Sequence, residues 1–208
     1  SFTAFLGSPL LLMSVFLLPA QQKTKQKNKE GDTTFKVHLI SILKNRMVML
    51  YTLLAIGLYT PLSALADLWG TAFLMQKYAL SQGNAAQTSM MMYLGMAAGS
   101  LVLPWFCEKY HILNRGIQVC GFSLLILMAV VFCWAGSKKL IVTFLLLGLG
   151  FFCGAEMMCF TGAVAYTTPS TSGLTLGVVN TLNMLGGALL QQLIGFGLDW
   201  QWSGALSD

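Results

Sequence analysis

Glu156 is the residue whose placement most demands chemistry. It stands near the middle of a long apolar run, with no other charged residue between Leu140 and Leu198. A carboxylate in such a run costs at least ~2.5–3.5 kcal/mol in lipid unless it is paired, protonated or wet. It therefore suits a proton or cation site. The plain alternative is a protonated acid hydrogen-bonded to a neighbouring helix. Asp67 is a second, weaker coupling candidate, because it lies close to the end of its own apolar run and can simply meet water there. It closes a stripe of Thr52, Ala55, Tyr59, Ser63 and Asp67 at three- and four-residue steps, which is one helical face. A third polar stripe, Gly173, Gly177, Asn180, Asn183, Gly187 and Gln191, lies within about 60° of one line at 100° per residue. One amide joins helices. Three on one face suggest a wet cavity, in which Tyr59, Ser63, Asn180, Asn183 and Gln191 offer neutral hydrogen bonds to a small polar solute.

Other chemistries lack their parts. The two histidines, His38 and His111, fall in loops, and neither an HExxH nor a GxSxG motif occurs. A nucleophile with its base is missing, so catalytic residues are assigned to none and an enzyme is disfavoured. Cys107, Cys120, Cys133, Cys153 and Cys159 sit in or beside apolar stretches without metal-ligand spacing, and read as free thiols. No metal and no cofactor is expected. Without a nucleotide motif the energy source is a gradient, which favours the proton as coupling partner. The net charge of +5 does not imply nucleic acid, because seven of the twelve Lys and Arg residues fall between Lys23 and Arg46, flanked by long apolar runs.

The elements that must position these groups follow from composition. Apolar and aromatic residues make up 56% of 208 and charged residues 9%, against about 25% charged in a soluble domain. A fold of this size has too little interior to hide that surface, so its solvent is the lipid bilayer. Six stretches approach the ~20 residues that a crossing helix needs: Phe2–Pro19, Met47–Trp69, Gln87–Phe106, Gly116–Trp134, Leu140–Tyr166 and Gly173–Leu198. Alternation over ~10 residues, the mark of a barrel strand, is absent. The fold class is an all-α polytopic bundle. Its organisation is a first span (1–19), a basic linker (20–46) and a five-span bundle (47–208). With six crossings, nine Lys and Arg residues share one side and Lys77, Lys138 and Lys139 the other, which puts the nine in the cytoplasm. All five tryptophans (Trp69, Trp105, Trp134, Trp200, Trp202) fall at expected span ends. In the linker, Gln21–Asp32 is charged and low in complexity, and is not expected to fold. Phe35, Leu39, Ile42 and Leu43 then recur at helical spacing, as in a short amphipathic helix on the inner membrane surface. No basic region precedes the first apolar run and no initiator Met is present, so the chain reads as starting inside a longer protein.

The spans differ in kind. The first and fourth carry little that is polar beyond hydroxyls and Gln118, and read as lipid-facing. Pro61 should kink or open the second. Gly95 and Gly99 on the third, and Gly150 and Gly154 on the fifth, have the small-xxx-small spacing that lets backbones approach.

The order of spans, the basic linker and several motifs resemble the second half of a major facilitator superfamily transporter. Pro104–Arg115 (PWFCEKYHILNR) stands where that family has a cytoplasmic Gly-x-x-x-Asp-Arg loop. Glu108 and Lys109 take the Asp and Arg places and Arg115 the trailing Arg, although Pro104 replaces the Gly and the spacing is longer. The resemblance implies a loop that latches helix ends. Asp67–Leu74 (DLWGTAFL) and Asn180–Asp199 (NTLNMLGGALLQQLIGFGLD) resemble a bacterial subgroup that includes phagosomal nutrient transporters. The resemblance implies a twelve-helix fold of which the chain supplies helices six to eleven, with the first half of the same transporter as its missing partner. It further implies a bacterial inner-membrane location and uptake of amino acids or similar nutrients by alternating access. The striped spans would then be cavity helices seven, eight, ten and eleven. A non-transporting six-helix scaffold is the rival reading, and it leaves Glu156 without a role.

Overall fold

The computed structural model describes residues 31–133 and 138–201, with side chains for 35–133 and 138–196. The chain divides into two compact units, Ser1–Lys36 and Val37–Asp208. The expected first span, most of Gln21–Asp32, and Trp134 and Trp202 lie outside the described residues.

All described elements are helices: α1 (Gly31–Lys44), α2 (Arg46–Tyr78), α3 (Gln82–Lys109), α4 (Leu113–Cys133), α5 (Lys139–Val164) and α6 (Ser172–Gln201). The last five are long and apolar enough to cross a membrane. They correspond to the second to sixth expected spans. Two differ within. The second was expected to end at Trp69, but the helix runs on to Tyr78. Lys77 Nζ donates to the Val131 carbonyl at 3.1 Å and also to that of Phe132, while Tyr78 Oη donates to Val131 at 2.7 Å. These bonds satisfy the terminal carbonyls of α4 and fasten the extra turns to it. Trp69 is therefore inside its span, not at its end as expected, and its buried Nε1 has no hydrogen-bond partner.

Both ends of the bundle are tied across elements. At one end Asn45 caps α2, accepting from Met47 N–H at 3.0 Å, and donates to the Tyr166 carbonyl at 3.1 Å. Tyr51 there donates to Asn114 Oδ1 at 2.7 Å. At the other end Lys139 Nζ donates to Asn84 Oδ1 at 2.7 Å. Lys44, Arg46, Lys109 and Arg115 thus gather with the Tyr166–Ser172 turn at the first end, and Lys77, Lys138 and Lys139 at the second. That is the split expected from the sequence for these residues, and by the charge bias the first end is the one expected to be cytoplasmic. A cysteine in place of Lys138 should react with an impermeant maleimide added to intact cells, and one in place of Lys109 should not. Labelling of position 109 alone would invert the topology.

α3 and α5 make the closest backbone approach, and the two glycine pairs meet each other there. A Cβ on Gly95 would strike the Leu147 carbonyl, and one on Gly99 the Phe151 carbonyl. In return, a Cβ on Gly150 would stand 2.8 Å from Met92 Cα, and one on Gly154 2.6 Å from the Gly99 carbonyl carbon. Close helix contact in lipid depends on such packing, because lipid offers no hydrophobic drive between helices. α4 presents Val119, Phe122, Leu125 and Ile126 outward, as a helix on the lipid side requires. Of the stripe expected on α1, Ile42 is buried against α2 and α5 residues while Leu43 remains exposed.

Candidate functional site

The site is built on two departures from regular helix. On α2, Pro61 has no N–H to give the ladder, and two residues later the helix widens into a π-helical stretch, Ser63–Trp69. Gly70 closes it. A Cβ there would strike the Leu65 carbonyl, five residues back. The opening expected at Pro61 is thus present as a wide turn, a form found often at functional sites. It carries Asp67. Because α2 continues to Tyr78, Asp67 lies eleven residues inside the helix end, about 16 Å at 1.5 Å per residue. The end of the helix is thus farther from Asp67 than the sequence led us to expect. The Tyr93 hydroxyl of α3 donates to its Oδ1.

On α5, helix Lys139–Cys153 stops at a tight turn, Gly154–Ala155, and a second segment begins at Glu156 and runs to Val164. The turn sits where Gly154 abuts the Gly99 and Ser100 backbone. It is also where one apolar cluster, containing Cys153, gives way to the other, containing Ala155. Glu156 therefore opens the second segment, whose first N–H groups are taken by the turn itself, Met157 bonding the Gly154 carbonyl at 3.2 Å and Met158 that of Ala155 at 3.0 Å. Glu156 is 2% exposed, and Asn183 of α6, 0% exposed, donates from Nδ2 to Glu156 Oε1 at 2.6 Å. Glu156 Oε2 and Asn183 Oδ1 are buried without hydrogen-bond partners. The basic residues of the described spans, Arg46, Lys77, Lys109, Arg115 and Lys139, all sit at helix ends, so none of them neutralises this carboxylate.

The two sequence stripes face each other. Gln191 Nε2 donates to the Ser63 carbonyl at 2.7 Å. A Cβ on Gly187 would stand 3.2 Å from the Tyr59 ring and 3.7 Å from Ser63 Oγ. Tyr59 is within electrostatic range of both Asp67 and Glu156. Asn183 is turned to the carboxylate and sealed from solvent, whereas Asn180 is exposed and Tyr59 and Gln191 are half-buried. Gly173 and Gly177 have open space around them, so packing within the described helices does not call for them.

Glu108, Lys109 and Arg115 are exposed, at the end of the bundle that carries Arg46. Lys109 Nζ lies over the Trp105 ring, 5.2 Å from its centroid. α3 ends in a Schellman turn. His111 adopts φ 53°, Ile112 N–H bonds the Cys107 carbonyl at 2.9 Å, and His111 N–H bonds that of Glu108 at 3.1 Å.

Tyr93 and the Gly154–Ala155 turn escaped the sequence reading. Tyr93 had a usable signal, since Ser89 and Tyr93 are four residues apart on α3 and both bond the wide turn of α2, Ser89 through Leu65. The turn had none. Glycine at position 154 is explained equally well by an unbroken helix.

A bundle of five helices long and apolar enough to cross a membrane, with a carboxylate buried among them, is that of a multi-pass membrane protein. Residues 1–190 match the Major Facilitator Superfamily, and the chain belongs to that superfamily of transporters. Neither a curated protein nor a solved structure matches it.

Proposed function

We propose that the chain carries one half of a proton-coupled secondary transporter for a small polar solute, an amino acid or similar nutrient, in a bacterial inner membrane. The observation that carries this reading is the buried Glu156–Asn183 pair. An ionised Glu156 has one amide to offset its burial and, among the described residues, no cation. Taking up a proton removes the charge, and the two states then favour different helix arrangements. Tyr59, Ser63, Asn180 and Gln191 orient the solute through neutral hydrogen bonds. Glu108, Lys109 and Arg115 form the cytoplasmic latch. The exposed Asp67, Tyr93 and Asn180 need a polar covering within the membrane, which supports pairing with a first half of the same transporter. A non-transporting scaffold leaves this set of groups without purpose.

Uptake by the full-length protein in liposomes tests the proposal. A radiolabelled amino-acid mixture should accumulate when the outside is acidified and should leak back when a protonophore is added. Accumulation indifferent to the protonophore would sink the coupling.

A further inference from the structure

Asp67, Tyr59 and Tyr93 form a group distinct in character from the Glu156 pair. Asp67 and Tyr93 are exposed on α2 and α3, bonded to each other, and Tyr59 lies within electrostatic range of both. Asp67 lies eleven residues before the end of the spanning helix α2. A carboxylate on the exposed face of a spanning helix is not lipid-facing, since lipid contact costs several kcal/mol. The tyrosine hydroxyl leaves its Oδ2 without a hydrogen bond among the described residues. The basic side chains of the described spans are all at helix ends, so among the described residues the charge this face offers is negative. A metal ion is a poor fit. Hard cations need about six oxygen ligands, and no group of three acidic, His or Cys ligands exists among the described residues. One carboxylate with an oxygen left open, beside a tyrosine hydroxyl and with a second tyrosine within electrostatic range, matches instead an organic ammonium, which needs a single counter-charge and no closed ligand set.

We infer that Asp67, with Tyr59 and Tyr93, binds the ammonium group of the transported solute, so that the carrier selects amines or quaternary ammonium compounds. This rests on the reading of that face as the solute path. Tryptophan fluorescence of the full-length protein, with Trp69 two residues from Asp67, provides the measurement. The probes are choline, its neutral carbon isostere 3,3-dimethylbutan-1-ol, and sodium chloride. Choline should bind at least about tenfold more tightly than the isostere, and sodium chloride should not displace it at equal concentration. Asp67→Asn should abolish that preference, while Asp67→Glu should retain part of it. Equal affinities, no choline binding, displacement by sodium, or a preference that survives Asp67→Asn would each overturn the assignment. A protein that prefers choline yet accumulates solute without regard to the pH gradient would remove the coupling proposal and leave this site standing. The reverse result would remove this site alone.

Discussion

Glu156→Gln in the full-length protein is expected to reduce proton-driven accumulation to the level of empty liposomes while solute exchange across the membrane continues. The amide has nearly the shape of the acid and cannot release a proton, so it holds the site in its neutral form. Asn183 can satisfy it by presenting its own carbonyl or amide, because Asn183 Oδ1 and Glu156 Oε2 have no other hydrogen-bond partners. Fold and binding should therefore survive, and only the linkage of conformation to charge is lost. Tyr59, Cys153 and Cys159 are the other titratable groups within electrostatic range of Glu156. None is a carboxylate that could take over its proton. Counterflow with equal solute on both sides separates exchange from accumulation. Accumulation with an unchanged pH profile would make Glu156 a structural acid. Loss of both accumulation and exchange, in a protein that still unfolds at the wild-type temperature, would place it in solute binding instead.

The second large effect is on assembly. Gly150→Leu should cost at least the upper end of the ~1–3 kcal/mol typical of overpacking, because the obstacle is backbone and not a movable side chain. Its Cβ alone would meet the Met92 carbonyl carbon at 2.7 Å and Cα at 2.8 Å. α3 and α5 must separate to admit it, and the reciprocal contacts of Gly95, Gly99 and Gly154 are lost together. Purified yield and thermal unfolding in detergent should both fall sharply. Gly177→Ala, with nothing within 4 Å of the added atom, should move stability by no more than ~0.5 kcal/mol. Equal tolerance of the two changes would mean that the α3–α5 contact does not hold the bundle together.

The sequence by itself determined the membrane class, the helical spans and their charge split. Each of these is a one-dimensional property: enough apolar residues in a row, and lysines and arginines on alternate loops. It also singled out Glu156, since an isolated charge in an apolar run is visible without any partner, and it put Tyr59 and Ser63 on one helix face and Gly187 and Gln191 on another. Periodicity gives a face but not what the face meets. Only the tertiary structure joined Asn183 to Glu156 across 27 residues and Tyr93 to Asp67 across 26. Asn183 thereby became a sealed partner of the acid, while Asn180, three residues away, stayed exposed. The distance of Asp67 from the end of its helix was likewise hidden. Gly70–Tyr78 (GTAFLMQKY) is polar enough to read as the end of a span, and it continues the helix because Lys77 and Tyr78 bond the last carbonyls of α4. The Gly154–Ala155 turn, which sets Glu156 at a helix start, lies where the α3 backbone presses on Gly154. That pressure comes from a neighbour more than fifty residues away in the chain, and the local sequence carries no trace of it.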